Sequence, residues 1–173
     1  EKSMEIQMDL GADIIMACNG ALAGLVGITA PCAYVAPWAA VVIGAIAPFV
    51  MIATNLFVER VLKVDDVVGA AGVHAGGGLF GLLAVGIFAD GTYGNVSGLI
   101  MGQTGQLIAQ LISMVVVAAW ALGTGFLMFA LLKATMGLRA SREEELEGLD
   151  VPEHGIEVYP ADKPAPAGAT ASS

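Results

Sequence analysis

From Ile14 to Val58 no residue carries a charge. A helix crosses the hydrocarbon core of a bilayer with about 20 residues, so the stretch predicts two crossings. They divide at Thr29-Ala30-Pro31 and Pro37, because proline lacks an amide hydrogen and disfavours helix in the residue before it. The pattern predicts helices over 13–29 and 38–58, the second kinked at Pro48. Asn19, Gly20, Gly24 and Gly27 make the first a packing surface rather than a smooth lipid face. Residues 67–89 are a third uncharged run, and His74 is its single ionisable side chain. A fourth run follows the loop 90–98; Gln103, Gln106 and Gln110 make its start polar, which puts the crossing at 107–132 and implies tilt. The expected class is all-α, a polytopic transmembrane helix bundle occupying residues 1–138, followed by a tail at 139–173.

Composition sharpens this picture. Hydrophobic residues make up 57% and charged residues 13% of the chain, against about 45–50% and 25% in soluble domains. That excludes both an ordinary water-soluble globule and a disordered chain. The net charge of −9 sits at the two ends: −3 over residues 1–13, −1 over 14–138 and −5 over 139–173. Without a basic patch to neutralise phosphates, nucleic acid is excluded as a partner. Arg60 and Lys63 follow the second span, and Lys133, Arg139 and Arg142 follow the fourth. Two crossings separate the clusters, so both face one side, which the positive-inside rule makes cytoplasmic. The expected location is the cell membrane, multi-pass, with the C-terminus cytoplasmic.

The candidate chemistry is sparse. Inside a membrane an ionisable side chain marks a substrate or proton path by default, which singles out His74; in a soluble core the same residue would be structural. Asp65 and Asp66 precede the third helix, where carboxylates cap free amides and complement the helix dipole. Gly72 with Gly76, and Gly77 with Gly81, place small residues at four-residue spacing for close helix packing. Cys18 and Cys32 have neither zinc-ligand spacing nor disulfide density. One histidine with no partner at ligand spacing cannot complete a coordination shell, and no serine or threonine has a base at a suggestive spacing. Neither an enzyme, nor a metal, nor a cofactor is expected.

Four motifs then carry a resemblance: Asn19-Gly-Ala-Leu-Ala-Gly-Leu-Val-Gly-Ile-Thr29-Ala; Lys63-Val-Asp-Asp66 with Gly-Val-His74-Ala-Gly-Gly; Gly137-Leu-Arg139; and Glu147-Gly-Leu-Asp150-Val-Pro-Glu-His154-Gly155 with Tyr159. In order and spacing, from about residue 13 to 160, they resemble the ammonium transporter (Amt/Rh) family. The resemblance implies that the four spans match the last four of eleven helices in an inverted-repeat fold. Family members assemble as homotrimers in which every subunit conducts. On this basis the chain reads as a C-terminal fragment, His74 matches the second of two pore histidines, and Leu22 and Ala70 match apolar pore-wall positions. Ala70 lies four residues before His74, hence on the same face of a regular helix. Asn19 reads as a helix-to-helix hydrogen-bonding residue. Gly69 departs from members that carry an acidic residue near the inner mouth. The implied substrate is ammonium or ammonia, with the lipid bilayer as surroundings.

The tail has its own pattern. Ser141-Arg-Glu-Glu144 predicts a capping box opening a short helix that Gly148 ends. The Pro/Ala-rich sequence after about residue 160 predicts disorder. Glutamates on a solvated face need no further role. The resemblance adds that Gly137, Leu138, Arg139, Gly148, Leu149, Asp150, His154 and Gly155 match a tail motif that contacts a neighbouring subunit and, in many bacterial members, takes part in docking PII signalling proteins. A reading of a different class remains open: a truncated membrane-embedded assembly or interaction module that presents its tail without a complete pore.

Overall fold

A computed structural model describes residues 12–156. The expected disorder after residue 160 lies outside the described residues. Among these residues every regular element is helical: α1 (Ala12–Thr29), α2 (Pro37–Phe57), α3 (Gly77–Phe88), α4 (Gly105–Thr135), α5 (Arg142–Glu147) and α6 (Asp150–His154). Wide π-type turns extend α2 over Val58–Leu62 and precede α3 over Ala71–Gly76, and 3-10 turns occupy Pro31–Ala33 and Leu99–Met101. The described residues fall into two compact units divided between Leu122 and Gly123.

In the first unit α1, α2 and α3 pack against one another. Helix α2 buries Ala39, Ile43, Ala47, Met51 and Asn55, a stripe at four-residue intervals. Ala47 and Met51 join Ala23 of α1 and Val73 before α3 in one cluster; Ala39 and Ile43 join Val35 and Ala84 in another. Phe80 touches both clusters, and Trp38 meets Phe88 edge-on with ring centroids 6.3 Å apart.

Glycine sets the distances. A Cβ on Gly81 would stand 2.7 Å from the Gly27 carbonyl oxygen, and one on Gly77 3.4 Å from that of Ala23. The expected small-residue pairs thus face different partners: Gly77 and Gly81 meet α1, whereas Gly72 and Gly76 meet α2. Helix α2 runs through Pro48, which offers no amide to the carbonyl of Gly44 four residues earlier. That carbonyl oxygen lies 3.3 Å from where a Cβ on Gly24 would sit. Gly24 thus lies against the carbonyl of Gly44, for which residue 48 supplies no helical donor.

By length and composition Pro37–Leu62, Ala71–Phe88 and Gly105–Thr135 can each cross a membrane, while Ile15–Thr29 is a shorter apolar helix. The third span starts later than the expected residue 67, because residues 67 and 68 form a turn. Helix α4 exceeds the expected 107–132 at both ends. At 1.5 Å per residue its 31 residues measure about 46 Å against a hydrocarbon core of about 30 Å. None of its residues is buried. The loop before it is pinned by Gly98 N–H donating to the Ala89 carbonyl (2.7 Å) and Gly91 N–H to that of Val96 (2.9 Å).

In the second unit α5 begins with the expected capping box. Ser141 N–H donates to Glu144 Oε2 (2.7 Å) and Glu144 N–H donates to Ser141 Oγ (3.2 Å). Gly148 ends the helix at φ 97°, where a side chain would be strained. A further short helix, α6, then covers Asp150–His154, the later part of the tail motif.

Candidate functional site

The segment 63–76 changes direction in a few residues and then carries His74. Lys63 and Gly69 adopt left-handed φ values of 55° and 70°. Between them Asp66 accepts from two backbone amides, Ala70 N–H on Oδ1 (2.9 Å) and Ala71 N–H on Oδ2 (2.7 Å). These are orphan donors of a helix start. The carboxylate and the glycine together fix the helix origin near Ala70. Residues 67 and 68 form a turn instead of the first helical turn that their apolar character suggested. Asp65 is exposed. Asn19 of α1 donates from Nδ2 to the Val68 carbonyl (2.9 Å), tying α1 to this turn across 49 residues of sequence.

Beyond Ala70 the backbone widens. The Gly77 amide reaches the Gly72 carbonyl, five residues back. Wide turns of this kind occur mostly singly and frequently at functional sites. Gly72 and Gly76 are buried here against α2. A Cβ on Gly76 would stand 2.5 Å from Thr54 Oγ1, and one on Gly72 would overlap Asn55 Oδ1 and lie 2.7 Å from the Met51 carbonyl. Thr54 and Asn55 thus fill the room of two missing side chains. His74 lies two residues from each glycine, which places it on the opposite side of the turn, and it is exposed.

Ala70 and Leu22 are exposed as well, Leu22 at 48%. The four-residue stacking of Ala70 under His74 that a regular helix would give is loosened, because the wide turn begins at Ala71. Among the described residues no group of three His, Cys, Asp or Glu side chains comes together to hold a metal. Cys18 and Cys32 are exposed free thiols.

Two residues of this region escaped sequence reasoning. Thr54 and Asn55 lie at the end of an uncharged run, where both read as ordinary span residues. A signal existed for Asn55: it is the one polar member of the four-residue stripe 39, 43, 47, 51, 55.

In the tail, Gly137, Gly148 and Gly155 take left-handed φ values of 79°, 97° and 68°, so three of the motif glycines sit where L side chains rarely go. Leu138, Arg139 and Leu149 lie in connecting backbone, while Asp150 and His154 bound α6. The backbone amide of Ser141, and then its hydroxyl, hold the Glu144 carboxyl below its ordinary range.

Residues 7–159 match the Ammonium Transporter Family. The chain belongs to that family. It is 52% identical over 155 residues to ammonium transporter Amt2 of Archaeoglobus fulgidus, covering 86% of this chain and 33% of the relative. To ammonium transporter 1 member 1 of Arabidopsis thaliana it is 39% identical over 152 residues, 82% of this chain and 30% of the relative. The chain thus spans about a third of the length of these curated family members. Among solved structures, a sensor Amt protein superposes with a TM-score of 0.71 at 36% identity, covering 87% of this chain and 37% of its own. Saccharomyces cerevisiae Mep2 superposes with a TM-score of 0.62 at 30% identity, over 73% of this chain and 30% of its own. A helical membrane-protein architecture accompanies the family, and these relatives are transporters rather than enzymes.

Proposed function

We propose that this chain forms part of a conduction path for ammonium or ammonia, complete in a full-length family member, with His74 in the wall and Leu22 and Ala70 as apolar lining. The observation that supports this reading is the two-sided turn Ala71–Gly76: Gly72 and Gly76 are buried against α2, and the one ionisable residue of the span stands on the other side. A charged ammonium ion loses its hydration in an apolar passage, whereas neutral ammonia loses far less, so desolvation favours the deprotonated solute. A neutral imidazole can then exchange hydrogen bonds with ammonia or relay the released proton, while a fixed cation would oppose the ion.

The same proposal extends to assembly and the tail. The full-length protein is a homotrimer in the cell membrane, the C-terminus is cytoplasmic, and the tail from Gly137 to Gly155 contacts a neighbouring subunit and can meet a PII protein. Asp65 and Asp66 serve the helix start, and Asn19 serves the packing of α1 on the turn before His74.

The test is His74→Ala in a full-length transporter carrying this sequence. One lost hydrogen bond of about 1.4 kcal/mol corresponds to roughly tenfold in rate. Methylammonium uptake or ammonium current should fall by about that factor, or change its coupling to protons, with unaltered protein level. Unchanged uptake, current and selectivity would leave His74 a packing residue and favour a membrane-embedded assembly module.

A further inference from the structure

Asn55 is 8% exposed, and its Oδ1 has no hydrogen-bond partner. Its Nδ2 reaches only the thioether of Met51, at 3.4 Å, and sulfur of this kind is a weak acceptor. A buried amide in this state is costly, and the four earlier members of its stripe, Ala39, Ile43, Ala47 and Met51, are apolar. Packing alone would be served better by an apolar side chain. What Asn55 touches is therefore informative. Its Oδ1 occupies the place of a Cβ on Gly72, and its Nδ2 lies 3.1 Å from the place of a Cβ on Gly69. One amide thus braces both the left-handed turn at Gly69 and the wide turn that starts at Ala71. Thr54, held by its own hydroxyl bond to the Val50 carbonyl (2.8 Å), braces Gly76 beside it.

We propose that Asn55 is a positioning residue for His74: its amide, seated against Gly69 and Gly72, holds the wide turn Ala71–Gly76 in its register and so fixes the direction of the imidazole. One residue of a helix corresponds to about 100° of rotation. A turn that relaxes from five-residue to four-residue bonding therefore re-aims every side chain between its anchors. Gly72 is the anchor two residues before His74, and Asn55 is what it rests on. The functional consequence builds on the pore reading above, but the positional claim does not depend on it.

Two measurements separate the claims. The first uses the full chain reconstituted in lipid, with 15N-labelled histidine, and follows the ring signals of His74 in Asn55→Ala, Asn55→Asp and Ile43→Val. Asn55→Ala should shift and broaden the His74 ring signals. Asn55→Asp, which in its protonated form keeps the shape, an acceptor oxygen and a donor, should restore most of the original position at low pH. Ile43→Val, a loss of packing three turns away in the same stripe, should leave the signals in place. Unshifted ring signals in Asn55→Ala, or an equal shift in Ile43→Val, would overturn the proposal. Should Asn55→Ala not fold, Gly72→Ala presses the same contact from the other side and must move the same signals; an unmoved ring there is equally fatal. The second measurement is uptake by a full-length transporter carrying Asn55→Ala, expected to fall toward the roughly tenfold loss of His74→Ala. If His74→Ala leaves uptake unchanged, the pore reading fails while the ring signals still decide the role of Asn55.

Discussion

Helices α1 to α3 and helix α4 are all strongly apolar, yet most glycines of the first three, Gly44 and Gly78 excepted, face close neighbours and those of α4 do not. Gly27, Gly77 and Gly81 each have a neighbour within 4 Å of a would-be Cβ, several of them backbone atoms, whereas nothing lies within 4 Å at Gly105, Gly123 or Gly125 of α4. The first group buries a core of Ala23, Ile43, Ala47 and Met51; α4 buries none of its residues. Apolar composition is enough to place a helix in lipid, but association there depends on small residues that let backbones approach. Hydropathy and packing are separate messages: α2 carries both, and α4 meets a glycine at its start, where a Cβ on Gly86 of α3 would stand 2.8 Å from the Leu107 α-carbon.

The largest expected effect tests that separation directly. Gly81→Val forces a side chain onto the Gly27 carbonyl and should destabilise the first unit by about 1–3 kcal/mol. Gly125→Val, in open surroundings, should stay within about 0.5 kcal/mol. Thermal unfolding of both variants in the same detergent decides the matter, and equal losses would erase the contrast. A smaller effect is expected at the origin of the third span. Asp66→Ala removes the acceptor for Ala70 and Ala71 and should cost about 0.5–2 kcal/mol, with hydrogen exchange at those two amides accelerating before any other part of the packed helices. Uniform acceleration would show that Asp66 does more than cap.

The smallest effect belongs to α5. The folded-state pKa of Glu144 is depressed, so its contribution is present above the ordinary carboxylate range and is lost as pH falls through the lowered value. The capping-box amide of Ser141 should therefore change its NMR shift on acidification, while the amides of α1 to α3 stay unchanged. A transition at higher pH than an ordinary glutamate shows would contradict the sign.

Much of this architecture can be read in the chain, because charge is absent wherever lipid is expected and punctuation by proline is plain. The capping box at Ser141 and Glu144 is legible for the same reason: it is a local rule between residues three apart. The start of the third span is not. Val67 and Val68 look like span residues, and only the left-handed Gly69 with the two-amide grip of Asp66 moves the origin to Ala70. The wide turn at Ala71–Gly76 is equally hidden, since it depends on Thr54 and Asn55 arriving from another helix. His74 can be singled out by chemistry alone; the surface that aims it cannot.

The meeting of Gly24 with the freed carbonyl of Gly44 has one more consequence. Because Gly24 stands against the Gly44 carbonyl that Pro48 leaves without its helical donor, the backbones of α1 and α2 approach closely at this point. The surrounding outward-facing residues, such as Leu25, Val41 and Phe49, can be exchanged for other oily side chains without relocating the point where the two rods touch. Loss of the glycine or of the imino acid would move that point.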